Sequence, residues 1–242
     1  MESLGFFRLR FIKRGRKKIG GFYFMQFVLF EKLAGLKGVE ILLFGAALLT
    51  ALGLTIAILR YRKARSAEAA GQPQKTRALV YGALCVSLSF ALSYVKLFTL
   101  PMGGSITLCA MLPLCLYASV FGLRYGLIAG VALGLLQLIQ DLYVVHWAQL
   151  ILDYILAYAC YGLAGLFPRK LQLGLTVAAL GRLICSLLSG VIFFAEYAAG
   201  WSSVWAYSLA YNGSYIAVEL LLCIVVSLLP AVKRMAAQMK AA

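Results

Sequence analysis

Asp153 and Gln149 are the residues best placed to do chemistry. They stand four apart in His146-Trp147-Ala148-Gln149-Leu150-Ile151-Leu152-Asp153-Tyr154, inside a long apolar stretch. On a helix that spacing puts both side chains on one face, a turn apart. A carboxylate in a membrane-spanning helix costs about 2.5–3.5 kcal/mol near the bilayer centre on insertion scales, so it marks a binding or transport pathway by default. A polar or cationic ligand is its natural counterpart, with a structural ion pair as the plainer alternative.

A second constellation lies further along, in Ser186-Leu-Leu-Ser189-Gly190-Val-Ile-Phe193-Phe194-Ala-Glu196-Tyr197 and then Tyr207-Ser208-Leu-Ala-Tyr211-Asn212. Asn212 brings a donor and an acceptor to membrane depth, where unmet polar groups are costly. Phe194, Tyr197 and Tyr207 flank one loop at about the level of Asp153. Aromatic rings beside a carboxylate make a cage for a flat cation. Trp201 and Trp205 read instead as an interfacial belt, and His146 as an interfacial polar residue.

Other chemistries find little support. The six cysteines are scattered over apolar runs without metal-ligand spacing, so free thiols and no zinc site are expected. A phosphate-binding Gly-rich loop with Lys-Ser/Thr is missing, so the chain should not itself hydrolyse ATP. No cofactor is expected. An intramembrane enzyme acting on lipid would need a nucleophile–base pair or clustered carboxylates, and neither is present.

The elements that must position these residues are helices in a membrane. Apolar residues make up 63% of the chain and charged ones 13%, against about 25% charged in soluble domains, and the mean hydropathy is +0.91. The reading is an all-α polytopic membrane protein with six core helices at 77–97, 104–121, 124–144, 148–167, 172–197 and 204–230. Breaks fall at Pro101 with Gly103-Gly104, at Phe121-Gly122, at Pro168-Arg169-Lys170, and near Gly200; Pro230 is expected to end the last helix. Short connections make successive helices antiparallel neighbours. Arg182 and Glu219 then fall at similar depth on adjacent helices, where an unpaired charge is costly, so they are expected to pair or to share a polar network.

Positive charge orients the core. Arg77, Arg124, Arg169, Lys170, Lys233, Arg234 and Lys240 fall on one side, and Lys96 is the exception on the other. Both ends of the core should therefore be cytoplasmic, and Asp153 should lie near the outer face. The net charge of +15 is a topology signal, and a nucleic-acid partner is the weaker reading of it.

Residues 1–75 are expected to form an N-terminal extension. It carries an extra hydrophobic helix at about 38–59, a basic run Arg60–Arg65 and a small, polar linker at 66–74. The run does not fit a cleaved signal peptide. Spanning with Arg60–Arg65 inside would leave the basic segment Arg8–Lys18 outside, against the charge rule. Either that segment is interfacial or translation starts later, with Met25 a possible initiator. Residues 76–242 are expected to form the substrate-binding membrane domain.

Four ordered blocks carry a resemblance: Leu100-Pro101-Met102-Gly103-Gly104-Ser105-Ile106-Thr107-Leu108, Gln149 to Tyr154, Ser189 to Ala198, and Tyr207 to Gly213. Over residues 76–235 the chain resembles the thiamine-specific S components (ThiT family) of energy-coupling factor transporters. The resemblance implies a bacterial plasma-membrane protein that captures thiamine in an outward-facing pocket. It would work with a transmembrane coupling subunit and two cytoplasmic ATPases, and it would be a transport subunit and not an enzyme. Carried over by position, Asp153 is the acidic pocket residue, Tyr154 and Tyr143 line its wall, Tyr207 and Asn212 supply polar contacts, and Phe194 stacks on a ring. The best-known member has a longer acid at Asp153, a histidine at Ser186 and a tryptophan at Phe194. A pocket for another small vitamin or precursor stays open on the residues alone. The resemblance also assigns Ala83 and Ser87, part of a small-residue stripe with Ala91, to docking on the coupling subunit. Packing within the bundle is the alternative for that stripe.

Overall fold

The computed structural model describes residues 75–140 and 143–241. The expectations for the first 74 residues lie outside the described part. Six apolar helices follow one another: α1 (Lys75–Ser93), α2 (Met111–Phe121), α3 (Leu123–Gln140), α4 (Trp147–Leu166), α5 (Leu171–Phe193) and α6 (Val204–Ser227). Five are long and apolar enough to cross a bilayer; α2, at 11 residues, is not. Its ~16 Å length covers about half of the hydrocarbon core.

The missing half is extended chain. The expected helix over 104–121 begins only at Met111, because Ser105–Thr107 (β2) pairs antiparallel with Lys96–Thr99 (β1). Pro101 fixes a short 3₁₀ turn, Gly103 takes φ +93°, and the Leu100 N–H donates to the Gly104 carbonyl at 2.7 Å. Cys109, in the left-handed region at φ 57°, then turns the chain into α2. Such backbone is tolerated at membrane depth only where protein surrounds it. Here Thr107 is buried, and its Oγ1 donates to Glu219 Oε1 at 2.5 Å.

Glycines set the contact between α3 and α4. Gly126, Gly130 and Gly134 are four apart on α3. A Cβ on Gly130 or Gly134 would collide with the carbonyl oxygen of Tyr158 or Tyr154 on α4. Small residues at this spacing let helix backbones touch. On α5, Gly190 in the same way admits Ser208 of α6.

Helix α4 changes its winding along its length. It is α-helical at Trp147–Leu150, π-helical at Ile151–Leu156, α-helical again at Ala157–Ala159 and 3₁₀ from Cys160 to Leu166. The π segment carries Asp153. Such widened turns are rare and concentrate at functional sites.

Two expected boundaries are corrected. The fifth helix stops at Phe193, with a 3₁₀ turn at Ala195–Ala198 in place of its expected last turn. Pro230 does not end the last helix: α6 stops at Ser227, and Pro230 opens a further helix, α7 (Pro230–Ala241). Proline suits a first helical position, where its missing N–H has no partner to lose. Val232, Ala236 and Met239 turn one face of α7 toward the core, at the helical spacing of four and three. Arg77 Nη2 of α1 donates to the Met239 carbonyl at 2.6 Å and holds the far end.

Candidate functional site

Asp153 is placed by α4 and held by two donors. Gln149 Nε2 donates to Asp153 Oδ2 at 2.8 Å, as the four-residue spacing predicts. Ser189 Oγ, from α5, donates to the same oxygen at 2.6 Å. Gln149 is itself fixed: its Nε2 donates to the Tyr143 carbonyl at 3.1 Å, and its Oε1 accepts from the Val145 N–H at 3.3 Å. The carboxylate is thus oriented by a buried amide and a buried hydroxyl.

Above it lies an aromatic wall. Tyr143 stacks on Phe194 with ring centres 6.0 Å apart and planes 19° from parallel. The Tyr143 N–H donates to the Tyr154 hydroxyl at 3.1 Å. Across the site, Tyr207 stacks on Tyr211 at 6.1 Å. The Gly104 N–H donates to the Tyr211 hydroxyl at 3.0 Å, and that hydroxyl donates to the Pro101 carbonyl. The hairpin turn is thereby fastened to α6 beside the site.

Below Asp153 sits a charge pair. Arg182 Nη1 lies 3.2 Å from Glu219 Oε2, so the expected pairing is present. Arg182 also donates to the Tyr161 hydroxyl, and its guanidinium lies 5.2 Å from the centre of the Tyr158 ring and 5.8 Å from that of Tyr215.

These groups line one cavity of about 160 Å³, reaching from Gly103, Tyr143 and Phe194 at the helix ends inward to Arg182 and Glu219. Asp153, Tyr154, Tyr143, Gln149, Ser186, Phe194, Tyr207 and Asn212 all line it. Tyr197 does not. It is 39% exposed and packs behind Phe194 at 6.3 Å, on the rim. A hydrogen bond with Tyr143 raises the pKa of its hydroxyl above the usual tyrosine value.

Asn212 lines the cavity, yet its amide is engaged by the wall. Its Nδ2 donates to the Ser208 carbonyl at 3.0 Å, and its Oδ1 accepts from the Tyr215 hydroxyl at 2.9 Å. His146 is more structural than expected. It is buried, its Nδ1 caps α4 by accepting from the Ala148 N–H at 3.1 Å, and its ring stacks on Phe193. Trp205 departs from the belt reading in part, because its indole N–H is buried. Sequence reasoning did not assign Ser189 a role. The signal was available, since Ser189 stands three residues after Ser186 on α5 and so shares its cavity face.

The described residues hold no group of three or more potential metal ligands, and the six cysteines are free. A helical membrane bundle with a half-buried carboxylate, stacked aromatic rings and a cavity reaching the helix ends is the architecture of a membrane-embedded solute-binding protein. The chain belongs to the thiamine transporter protein family (Thia_YuaJ), whose model matches residues 79–239. The thiamine transporter ThiT of Bacillus subtilis (strain 168) is 32% identical over 145 residues, which cover 53% of this chain and 75% of that protein. A solved structure of ThiT from Listeria monocytogenes shares the fold, with a TM-score of 0.59 and 23% identity over 66% of this chain and 96% of that one. Membership makes this chain a transporter and sets aside the intramembrane-enzyme reading.

Proposed function

We propose that the cavity binds thiamine and that the chain is the substrate-binding subunit of an energy-coupling factor importer. The observation that carries this reading is Asp153. Its Oδ2 is held by Gln149 and Ser189, and its carboxylate lines a cavity walled by Tyr143, Phe194 and Tyr207. Oδ1 is then the oxygen offered to a ligand.

Thiamine pairs a permanently cationic thiazolium with a hydrogen-bonding aminopyrimidine. The carboxylate accepts from the exocyclic amine, a charge-assisted hydrogen bond roughly twice as strong as a neutral one. The aromatic rings receive the thiazolium, at about 0.5–2 kcal/mol per cation–π contact depending on desolvation. Another small flat cation or vitamin precursor is the second reading, since Ser186 and Phe194 alter the reach of the pocket. Mass spectrometry of ligand retained by the purified protein separates the two.

In this reading the cavity faces outward. A coupling subunit in the membrane and two cytoplasmic ATPases then drive release inward. The uneven spread of Lys and Arg supports that orientation. The docking role is supported by the exposure of Ala83, Ser87 and Ala91 on α1, which face away from the bundle and leave a stripe of small residues for a partner helix.

Calorimetry on the purified protein tests the binding claim. Asp153→Asn keeps the shape of the side chain and removes its charge. Thiamine affinity should fall by about 10- to 100-fold, the equivalent of ~1.5–3 kcal/mol. A wild-type protein that does not bind thiamine would overturn the substrate. Equal binding by both proteins would leave the substrate and remove the role of Asp153.

A further inference from the structure

A second cavity lies at the opposite end of the bundle. The first touches Ser189, Gly190 and Phe194 at one end of α5; the second touches Leu171 and Gln172 at the other. At 1.5 Å per residue these positions are roughly 25–30 Å apart. The second cavity, of about 250 Å³, lies among the end of α2, the turn between α4 and α5, the end of α6 and the face of α7.

Its chemistry is one-sided. Arg169, Lys233 and Lys240 line it, and none of its lining residues is acidic. Lys233 and Lys240 are seven apart on α7, two helical turns on the same face, and Arg169 comes from the turn after α4. Lys240 Nζ donates to the Pro168 carbonyl at 3.5 Å, which brings that cation beside the turn. The inner wall is apolar, with Leu116, Val120 and Val232, and it also presents the buried hydroxyl of Ser227.

The groove is preformed. Arg77 fixes the end of α7 through the Met239 carbonyl. Gln172 Nε2 donates to Ser227 Oγ at 3.3 Å and ties α5 to α6 at the base. Three cations gathered by fixed backbone at the end of a membrane bundle, above an apolar wall, match one class of molecule: an anionic phosphate on an acyl-bearing glycerol.

We propose that this groove binds the phosphate head group of an acidic membrane phospholipid. The cations take the phosphate and the apolar wall takes the start of the acyl chain. Scattered surface charge would attract an anionic bilayer without regard to position, at roughly a fivefold gain per Lys or Arg. A site differs because it depends on which charges are removed.

The test uses the full chain in mixed micelles, with bound lipid counted by native mass spectrometry during titration with phosphatidylglycerol or phosphatidylcholine. Wild type should retain phosphatidylglycerol in preference. The groove variant Arg169→Gln/Lys233→Gln/Lys240→Gln should lose affinity by roughly fivefold or more per charge removed. The matched variant Arg124→Gln/Lys170→Gln/Arg234→Gln removes three exposed charges that do not line the groove, and it should bind like wild type. Equal losses in the two variants would reduce the groove to general surface charge and overturn the proposal. So would equal retention of the two lipids, or displacement of the lipid by inorganic phosphate at matched concentration. Capture of a coupling subunit that fails in the groove variant while its lipid binding stays intact would reassign the surface to a protein and also overturn it. If the triple variant does not fold, Lys233→Gln and Arg169→Gln alone carry the same titration.

Discussion

Arg182 and Glu219 show what a single buried pair controls in this bundle. Each carries a charge whose chief partner is the other, 3.2 Å away, with Tyr161 and Thr107 adding hydrogen bonds. Arg182→Met alone leaves Glu219 buried without its cation, and stability should drop by about 3–5 kcal/mol. Joining it with Glu219→Leu should recover most of that loss, because the desolvation of both ions disappears. Unfolding in detergent, read as a double-mutant cycle, measures the difference. An additive double variant would mean that the two side chains do not depend on each other. The pair was legible in the sequence because depth can be counted along two antiparallel helices. The partners of Asp153 were half legible. Gln149 is a local neighbour on the same helix, whereas Ser189 comes from α5, and its meeting with Asp153 depends on a helix rotation that no spacing reveals.

Helix α3 meets α4 through glycines, so the strictest test of packing lies there. Gly134→Ala drives a methyl into the Tyr154 carbonyl, next to the π segment that carries Asp153. It should lower both folded yield and ligand affinity. Gly213→Ala, on α6 with nothing within 4 Å of the added carbon, should be neutral or slightly stabilising. Size-exclusion profiles and calorimetry on the two variants make the comparison. The outward stripe on α1 gives a different kind of prediction. Ala83→Leu with Ser87→Leu should abolish pull-down of the coupling subunit while ligand binding by the isolated protein persists. Unchanged pull-down would remove docking from this face. The long helices were readable because about twenty apolar residues crossing a bilayer leave few alternatives. The β1–β2 hairpin was not readable as such. Leu97, Phe98, Ile106 and Leu108 are as apolar as their helical neighbours, and it is the cross-strand pairing of β1 with β2, and the hold of β2 on α6 through Thr107, that satisfies the extended backbone. Helix α7 was hidden behind Pro230, since a proline stops a helix or starts one depending on the residues after it.

At the scale of the molecule, the two ends differ in charge and in shape. One end carries the carboxylate cavity, the other the basic groove, and among the described residues Lys96 and Arg182 are the cations lining the first. The proposed orientation rests on that asymmetry. In a cysteine-free background, Ser202→Cys should react with a membrane-impermeant thiol reagent in intact cells. Lys170→Cys should react only after the membrane is opened. The reverse pattern would turn the molecule over and point the cavity inward.

The same buried pair also has a consequence for biogenesis. A ribosome delivers Arg182 to the membrane 37 residues before Glu219. During that interval α5 carries a mid-depth charge that is costly to insert alone, with Tyr161 of α4 as its one hydrogen-bonding neighbour already synthesised. The link from 194 to 203 is short enough for α5 and α6 to leave the translocon together, as one hairpin whose two mid-depth charges cancel. Commitment of the last third of the chain to the membrane is therefore a joint event.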